Sequence, residues 1–143
     1  MDDSIAKTKA RRVGAKDYET LAAFRRGLRR FLAFSEAAAR NAGLTAQQHQ
    51  AILAIKGHPG AQAMTVGELA DHLMIRHHSA VELVDRLVKA DLVLRLETAA
   101  DRRRVGLALT PKAGGILAEL SAIHLEELKN SREMLTELLA RLE

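Results

Sequence analysis

The sequence predicts a mainly α fold with one small β-hairpin wing: a winged helix-turn-helix with flanking N- and C-terminal dimerisation helices. Three observations lead there. Between Thr65 and Thr110, two short helical patterns are followed by a strand, an Arg-rich turn, a second strand and the start of another helix. Longer amphipathic helical patterns lie on both sides of that stretch. The composition suits aliphatic helices, with 48% hydrophobic residues, 3% aromatics and few Gly or Pro, a balance that disfavours a sandwich or barrel.

Residues 1–16 are polar and carry Lys7, Lys9, Arg11, Arg12 and Lys16. They read as a solvated, flexible tail, with a basic arm near phosphates or a segment exchanged with a partner subunit as the functional alternative. From Asp17 to Asn41, Leu21, Phe24, Leu28, Phe31, Leu32 and Ser35 recur at spacings of three and four, on one side of a helix. Arg25, Arg26, Arg29 and Arg30 take the remaining surface, and Gly43 can supply the left-handed residue that ends the helix. Thr45 and Gln48 stand in the capping-box relation ahead of a second helix, whose apolar side is Ala51, Ile52 and Ile55. Gly57-His58-Pro59-Gly60 stops it.

Thr65 and Glu68 form another capping box, and Val66, Leu69, Ala70 and Leu73 supply the buried side of the short helix that follows. After a break at Met74-Ile75, the next helix runs from about Arg76 to Ala90. Ala80, Leu83, Val84, Leu87 and Val88 point inward, leaving His77, His78, Val81, Glu82 and Asp85 outward. A strand over Leu94–Glu97 should send Leu94 and Leu96 one way and Arg95 and Glu97 the other. Residues 98–103 read as a turn, and Arg104–Leu109 as a strand with Val105, Leu107 and Leu109 on one face. Thr110-Pro111 is a strong helix start. Ile116, Leu117, Leu120, Ile123 and Leu128 form one stripe. Asn130-Ser131 should break the helix, with Glu133 completing a cap, before Leu135, Leu138, Leu139 and Leu142. The first and last helices hold more Leu and Phe than a compact central module needs, so they are expected to pack together and against a second subunit. The whole chain, 1–143, reads as one domain, with 17–44 and 111–143 as dimerisation helices and 45–110 as the winged lobe.

Composition excludes several chemistries. There is no cysteine, which removes disulfides, thiolate zinc sites and thiol redox sensing. The N-terminus lacks the apolar core of a signal peptide, and the longest apolar run, Ala51–Ile55, cannot span a bilayer. The expectation is a cytoplasmic protein with no membrane association. Net charge is +4, but residues 1–44 hold ten Lys and Arg against five acids, while residues 65–110 hold seven of each. A basic pI therefore says little about the central stretch, and any case for nucleic-acid binding rests on where single charges sit.

Two helices joined by a tight turn, the second rich in side chains that reach base edges, is the geometry of major-groove reading. The outward N-terminal positions here are Arg76, His77, His78, Ser79, Val81 and Glu82. Arg and Ser bond bases or phosphates, and His serves as donor or acceptor. Asp101-Arg102-Arg103-Arg104 sets three guanidiniums at a hairpin tip, and a permanent charge on a planar fork suits phosphates and narrow minor grooves.

The run from His72 to Gly114 resembles the DNA-binding core of the MarR family of bacterial transcriptional regulators. The resemblance lies in Val84-Asp85-Arg86-Leu87, in the turn Asp91-Leu92-Val93, and in a wing signature at Asp101, Arg103, Leu109, Thr110 and Gly114. With the helix order on either side it spans residues 17–142. It implies that Arg76 to Glu82 read the major groove, that Arg102 or Arg103 enters the minor groove, and that Asp101 stabilises the wing by pairing with a nearby Arg. It also implies a homodimer on a pseudo-palindromic operator in double-stranded DNA, repressing until a small-molecule effector or oxidant releases it. Ligand sites in the family lie between the dimerisation helices and the DNA-binding lobe, and His124 reads as a polar interface residue or a pocket wall. The chain departs from the family pattern at Arg76, where Ser is common, at Asp91, where Gly is usual, and at Glu82, where a base is frequent. Glu82 is expected to pair with Arg86 four residues on, rather than accept from a cytosine amino group.

His72, His77 and His78, with Asp71 and Glu82, invite a metal reading. On a helix, however, His77 and His78 diverge by about 100°, and a closed site without cysteine needs further ligands from elsewhere. No metal, no other cofactor and no catalysis are expected, since nucleophile, phosphate-loop and zinc-protease motifs are all lacking. Two function classes stand: a sequence-specific DNA-binding repressor, and a winged-helix module for protein–protein contact, which would suit the neutral centre. Because no thiol is present, peroxide should leave duplex binding unchanged in a titration with and without mild oxidant. Loss of binding would implicate methionine oxidation and sink the account.

Overall fold

The structure, a computed structural model, describes residues 12–98 and 101–142, and at residues 98 and 101–103 the backbone alone. Its elements are α1 (Ala15–Asn41), α2 (Ala46–Lys56), α3 (Val66–Leu73), α4 (His77–Lys89), β1 (Val93–Thr98), β2 (Asp101–Leu109), α5 (Pro111–Asn130) and α6 (Arg132–Ala140). Most of the tail, residues 1–11, lies outside the described residues. Helix α1 starts two residues earlier than the pattern suggested, because the Asp17 carboxylate accepts the Gly14 N–H at 2.9 Å and closes the first turn.

The local signals fall where their chemistry demands. Thr45 and Gln48 exchange hydrogen bonds at 3.0 and 3.1 Å, and Thr65 and Glu68 do so at 3.1 and 3.2 Å. The Thr110 hydroxyl accepts the Ala113 N–H at 3.1 Å. Gly43 and Asp91 adopt left-handed backbone, with φ of 83° and 58°, conformations that Gly takes freely and Asp tolerates. The break after Asn130 is real but has a different cause from the one anticipated. Ser131 is itself helical and makes no cap, and its hydroxyl donates back to the Glu127 carbonyl at 3.0 Å. Glu133 thus completes no capping box there, and Ser131 alone separates α5 from α6.

The core sits in the lobe made by α2, α3, α4 and the hairpin. Ile52, Leu69, Leu83, Val84, Leu87, Leu92 and Val93 are fully buried there, joined by Leu107 from β2 and Leu117 and Leu120 from α5. Burial of each large aliphatic side chain contributes about 1.5–3 kcal/mol relative to exposure. Helix α1 gives this core only its last turn, Ala38 and Ala39. Leu21, Phe24, Leu28 and Leu32 further back are exposed, as are Leu125, Leu128, Leu139 and Leu142 on and beyond α5 and α6.

Helices α1, α2 and α5 meet at a polar joint. The His124 Nδ1 lies 2.6 Å from the Leu120 carbonyl oxygen, which can only accept, so Nδ1 donates there, and Nε2 lies 2.9 Å from the Ser35 hydroxyl oxygen. The His49 ring stands 4.9 Å from that of His124, with Phe31 and Phe34 edge-on to His124 on the other sides. His49 is buried, and its Nδ1 meets no hydrogen-bond partner among the described residues.

The wing departs from expectation at its tip. Strand β2 begins at Asp101, paired with Thr98, so the turn is shorter than residues 98–103. The next pair is Glu97 with Val105, which leaves residues 102–104 without partners on β1, a bulge at the tip. On β1 the buried apolar residue is Val93, whereas Leu94 and Leu96 face out and are exposed. The loop before α3 adds a pairing that no local pattern announced: Leu107 N–H donates to the Met64 carbonyl at 2.8 Å, and Thr65 bridges Gly106.

Two outcomes follow from these contacts. Burial, and then the His124 charge, hold the His49 pKa below its ordinary 6.5, so the folded chain keeps His49 neutral. Below that pH the unfolded chain binds the extra proton and folding weakens, by at most about 1.4 kcal/mol per pH unit for one group. Thermal melts between pH 7 and pH 5 should show this loss, and His49→Leu should flatten it. At Gly106, a Cβ would come within 2.7 Å of the Ala63 Cβ. Gly106→Ala should therefore cost about 1–3 kcal/mol in denaturant unfolding, and Ala63→Gly in the same chain should recover part of the loss.

Candidate nucleic-acid interface

Helix α3 ends at Met74, whose left-handed backbone (φ 57°) turns the chain within two residues. Ile75 packs on the core and Met74 projects into solvent. Arg76 then caps α4 with extended backbone and no side-chain cap bond, and its carbonyl accepts the Ala80 N–H at 3.0 Å. At 100° per residue, His77, His78, Val81, Glu82 and Asp85 share one outward arc, and all are exposed. Ser79 sits at the edge of that arc and is half-buried, while Ala80, Leu83, Val84 and Leu87 are buried behind it. The side chains of Arg76, His77, His78 and Ser79 make no hydrogen bond or ion pair among the described residues. The start of the helix is thus an open row of donors and acceptors.

Charge in the lobe is sorted by position. Glu82 faces Arg86 at 4.0 Å, the i,i+4 pair anticipated from the sequence, on an exposed surface where such a contact is weak. Asp85 on α4 hydrogen-bonds and ion-pairs with Arg95 on β1. The Glu68 carboxylate on α3 takes Arg104 from β2 and His58 from the α2–α3 loop, each at 3.2 Å. Hydrogen bonds from the Thr65 backbone and hydroxyl are the main cause of a Glu68 pKa below the usual carboxylate value, with the nearby His58 and Arg104 charges adding to it. Glu68, Glu82 and Asp85 thus each face an Arg other than Arg76, which has no ion-pair partner among the described residues.

The structure thus brings Arg76, His77, His78, Val81 and Glu82 together, with Ser79 at their margin. It moves Arg104 out of the expected group at the tip. That side chain folds back onto α3, because Glu68 offers it a charged partner. The side chains of Asp101, Arg102 and Arg103 lie outside the described residues, and their backbone is the first part of β2. Glu68, His58 and Arg95 were not singled out for the site from the sequence. Glu68 showed only its local capping relation to Thr65, and no spacing rule links it to Arg104 thirty-six residues on. No group of three or more His, Asp or Glu among the described residues could hold a metal, and no described helix is long and apolar enough to cross a membrane.

A model of the MarR family matches residues 42–104, from the start of α2 to the tip of the wing. The uncharacterized HTH-type transcriptional regulator YsmB of Bacillus subtilis is 34% identical over 74 residues, 52% of this chain and 51% of that protein, so the match spans about half the length of this curated relative. Among solved structures, AbsC of Streptomyces coelicolor, a MarR family transcriptional regulator, aligns over 94% of each chain with a TM-score of 0.71 and 20% identity. A Phe-to-Leu mutant of S. aureus MepR, bound to an oligodeoxyribonucleotide, aligns over 88% of this chain and 98% of its own with a TM-score of 0.66 and 20% identity. Residues 42–104 thus resemble the MarR family in sequence, and the chain as a whole shares the winged-helix fold of that family's solved regulators.

Proposed function

We propose that the protein is a homodimeric, sequence-specific regulator of transcription that binds double-stranded DNA. The observation that carries this reading is the unopposed start of α4, with Arg76, His77, His78 and Ser79 unpaired and exposed or at the margin, beside a wing whose tip sequence is Arg102-Arg103. Arg76 to Glu82 would lie in the major groove and Arg102 or Arg103 in the minor groove, with Asp101 steadying the tip. Arg104 is assigned to the wing's own support, not to DNA. The MepR mutant bound to an oligodeoxyribonucleotide supports the same use of the shared fold.

Dimerisation is supported by the apolar side chains that a single chain leaves in water: Leu21, Phe24, Leu28 and Leu32 on α1, with Leu125, Leu139 and Leu142 near the other end. A second copy covering them would set two recognition helices about one DNA turn apart, each on one half of a pseudo-palindromic operator. Repression, release by a small effector, a cytoplasmic location and the lack of enzymatic activity rest on the family resemblance. The division into dimerisation helices at 17–44 and 111–143 and a DNA-binding lobe at 45–110 belongs to the same proposal.

One observation favours a second reading. Leu94 and Leu96 form an exposed apolar pair on β1, which would suit a wing that contacts another protein. Salt separates the two readings, because phosphate-led affinity falls with a slope of about −0.9 per phosphate neutralised. Arg103→Ala should weaken duplex binding and make that slope shallower by about 0.9, as read by anisotropy titrations at several salt concentrations. If the wild type shows no affinity for its own upstream region at any of them, the DNA-binding reading is wrong.

A further inference from the structure

We propose that Glu68 is the positioning residue of the wing, which sets the direction in which the Arg102-Arg103 tip meets DNA. The inference rests on the DNA-binding reading above and adds to it a residue that touches no base or phosphate. Four donors, from both ends of the α2–α3 loop and from β2, converge on this one carboxylate. Thr65 gives its backbone N–H and hydroxyl at 3.1 and 3.0 Å, Arg104 reaches it from β2 at 3.2 Å, and His58 reaches it from the α2–α3 loop at 3.2 Å.

The place of the contact along the hairpin makes it matter. Nearer the core, β2 is held by its main chain, through Met64 and the Thr65–Gly106 bridge. Beyond Glu97–Val105 the ladder is interrupted, and residues 102–104 have no partners on β1. A bulge is where a hairpin bends and twists most easily. Arg104 is the last residue of that bulge before the ladder resumes, and its side chain is tied to α3. The tip is therefore aimed by a clasp between Glu68 and Arg104 at the one point where the strand pairing would let it swing. The other strand has a matching tie, Arg95 of β1 to Asp85 of α4. Each strand of the wing is thus joined by an ion pair to one helix of the helix-turn-helix, so that tip and recognition helix meet DNA as one body.

Glu68→Gln tests this, because the amide oxygen can still accept from Thr65 while the charge that holds Arg104 is lost. Two readouts are needed. In the free protein, hydrogen exchange should quicken at residues 101–105 in Glu68→Gln, with α4 unchanged; unaltered exchange in the wing overturns the clasp. On a duplex recovered by selection from random sequence, hydroxyl-radical footprints should lose the minor-groove protection and keep the major-groove contacts, with affinity down roughly tenfold. Arg104→Gln should do the same, and the double variant should be no worse than either single one, as expected of a coupled pair. Minor-groove protection that survives in Glu68→Gln, or losses that simply add, overturns the positioning role. If the wild type binds no duplex at all, the DNA-binding reading fails and takes the operator role of Glu68 with it. The exchange result still decides whether Glu68 holds the wing.

Discussion

A two-stranded hairpin has too little apolar area to stand alone in water, and nearly everything in this lobe answers that constraint. Val93 and Leu107 bring the roots of both strands into a core built by Ile52, Leu69, Leu83 and Leu87. The loop before α3 then lends β2 a short third partner at Met64 and Thr65. That pairing leaves no room for a side chain at position 106. The order of elements follows: a helix pair to bury one face of the hairpin, a loop to brace its edge, and a helix immediately after it. Thr110 closes the arrangement by capping α5 while its hydroxyl donates to the Asp91 carbonyl at 2.7 Å, which ties the exit of the hairpin to its entrance.

The features legible in the sequence were those with short-range causes. Capping boxes at Thr45 and Thr65, the Thr110-Pro111 start and the left-handed positions at Gly43 and Asp91 each depend on neighbours within a few residues. The inward and outward faces of α4 followed from periodicity, and with them most of the candidate interface. What stayed hidden was set by contacts across the fold. Arg104 reads as one more tip arginine until Glu68 is seen beside it, and the alternation of Leu94 and Leu96 with Arg95 and Glu97 leaves open which side is buried until Val93 is seen in the core. Asn130-Ser131 with Glu133 reads as a capped break, yet the Ser131 hydroxyl finds its acceptor in the helix behind it.

The joint of His124, Ser35 and His49 belongs to the second kind. The three residues come from α5, α1 and α2, and no spacing brings 35, 49 and 124 together. It stands where α1 and α5 meet the first helix of the winged lobe, so it is part of what fixes the lobe against the rest of the chain. Hydrogen bonds on both nitrogens of His124 make that contact directional, which aliphatic packing alone does not.

The two ties of the wing have a consequence for how this protein would be measured. Both are ion pairs on half-exposed side chains, and mobile ions screen such pairs much as they compete for DNA phosphates. Raising ionic strength would loosen the wing while it weakens the phosphate contacts proposed for it. A salt titration of the wild-type chain would then report more displaced counterions than there are phosphates touched. The count of phosphates is best taken from differences between variants that keep both ties, where the loosening cancels.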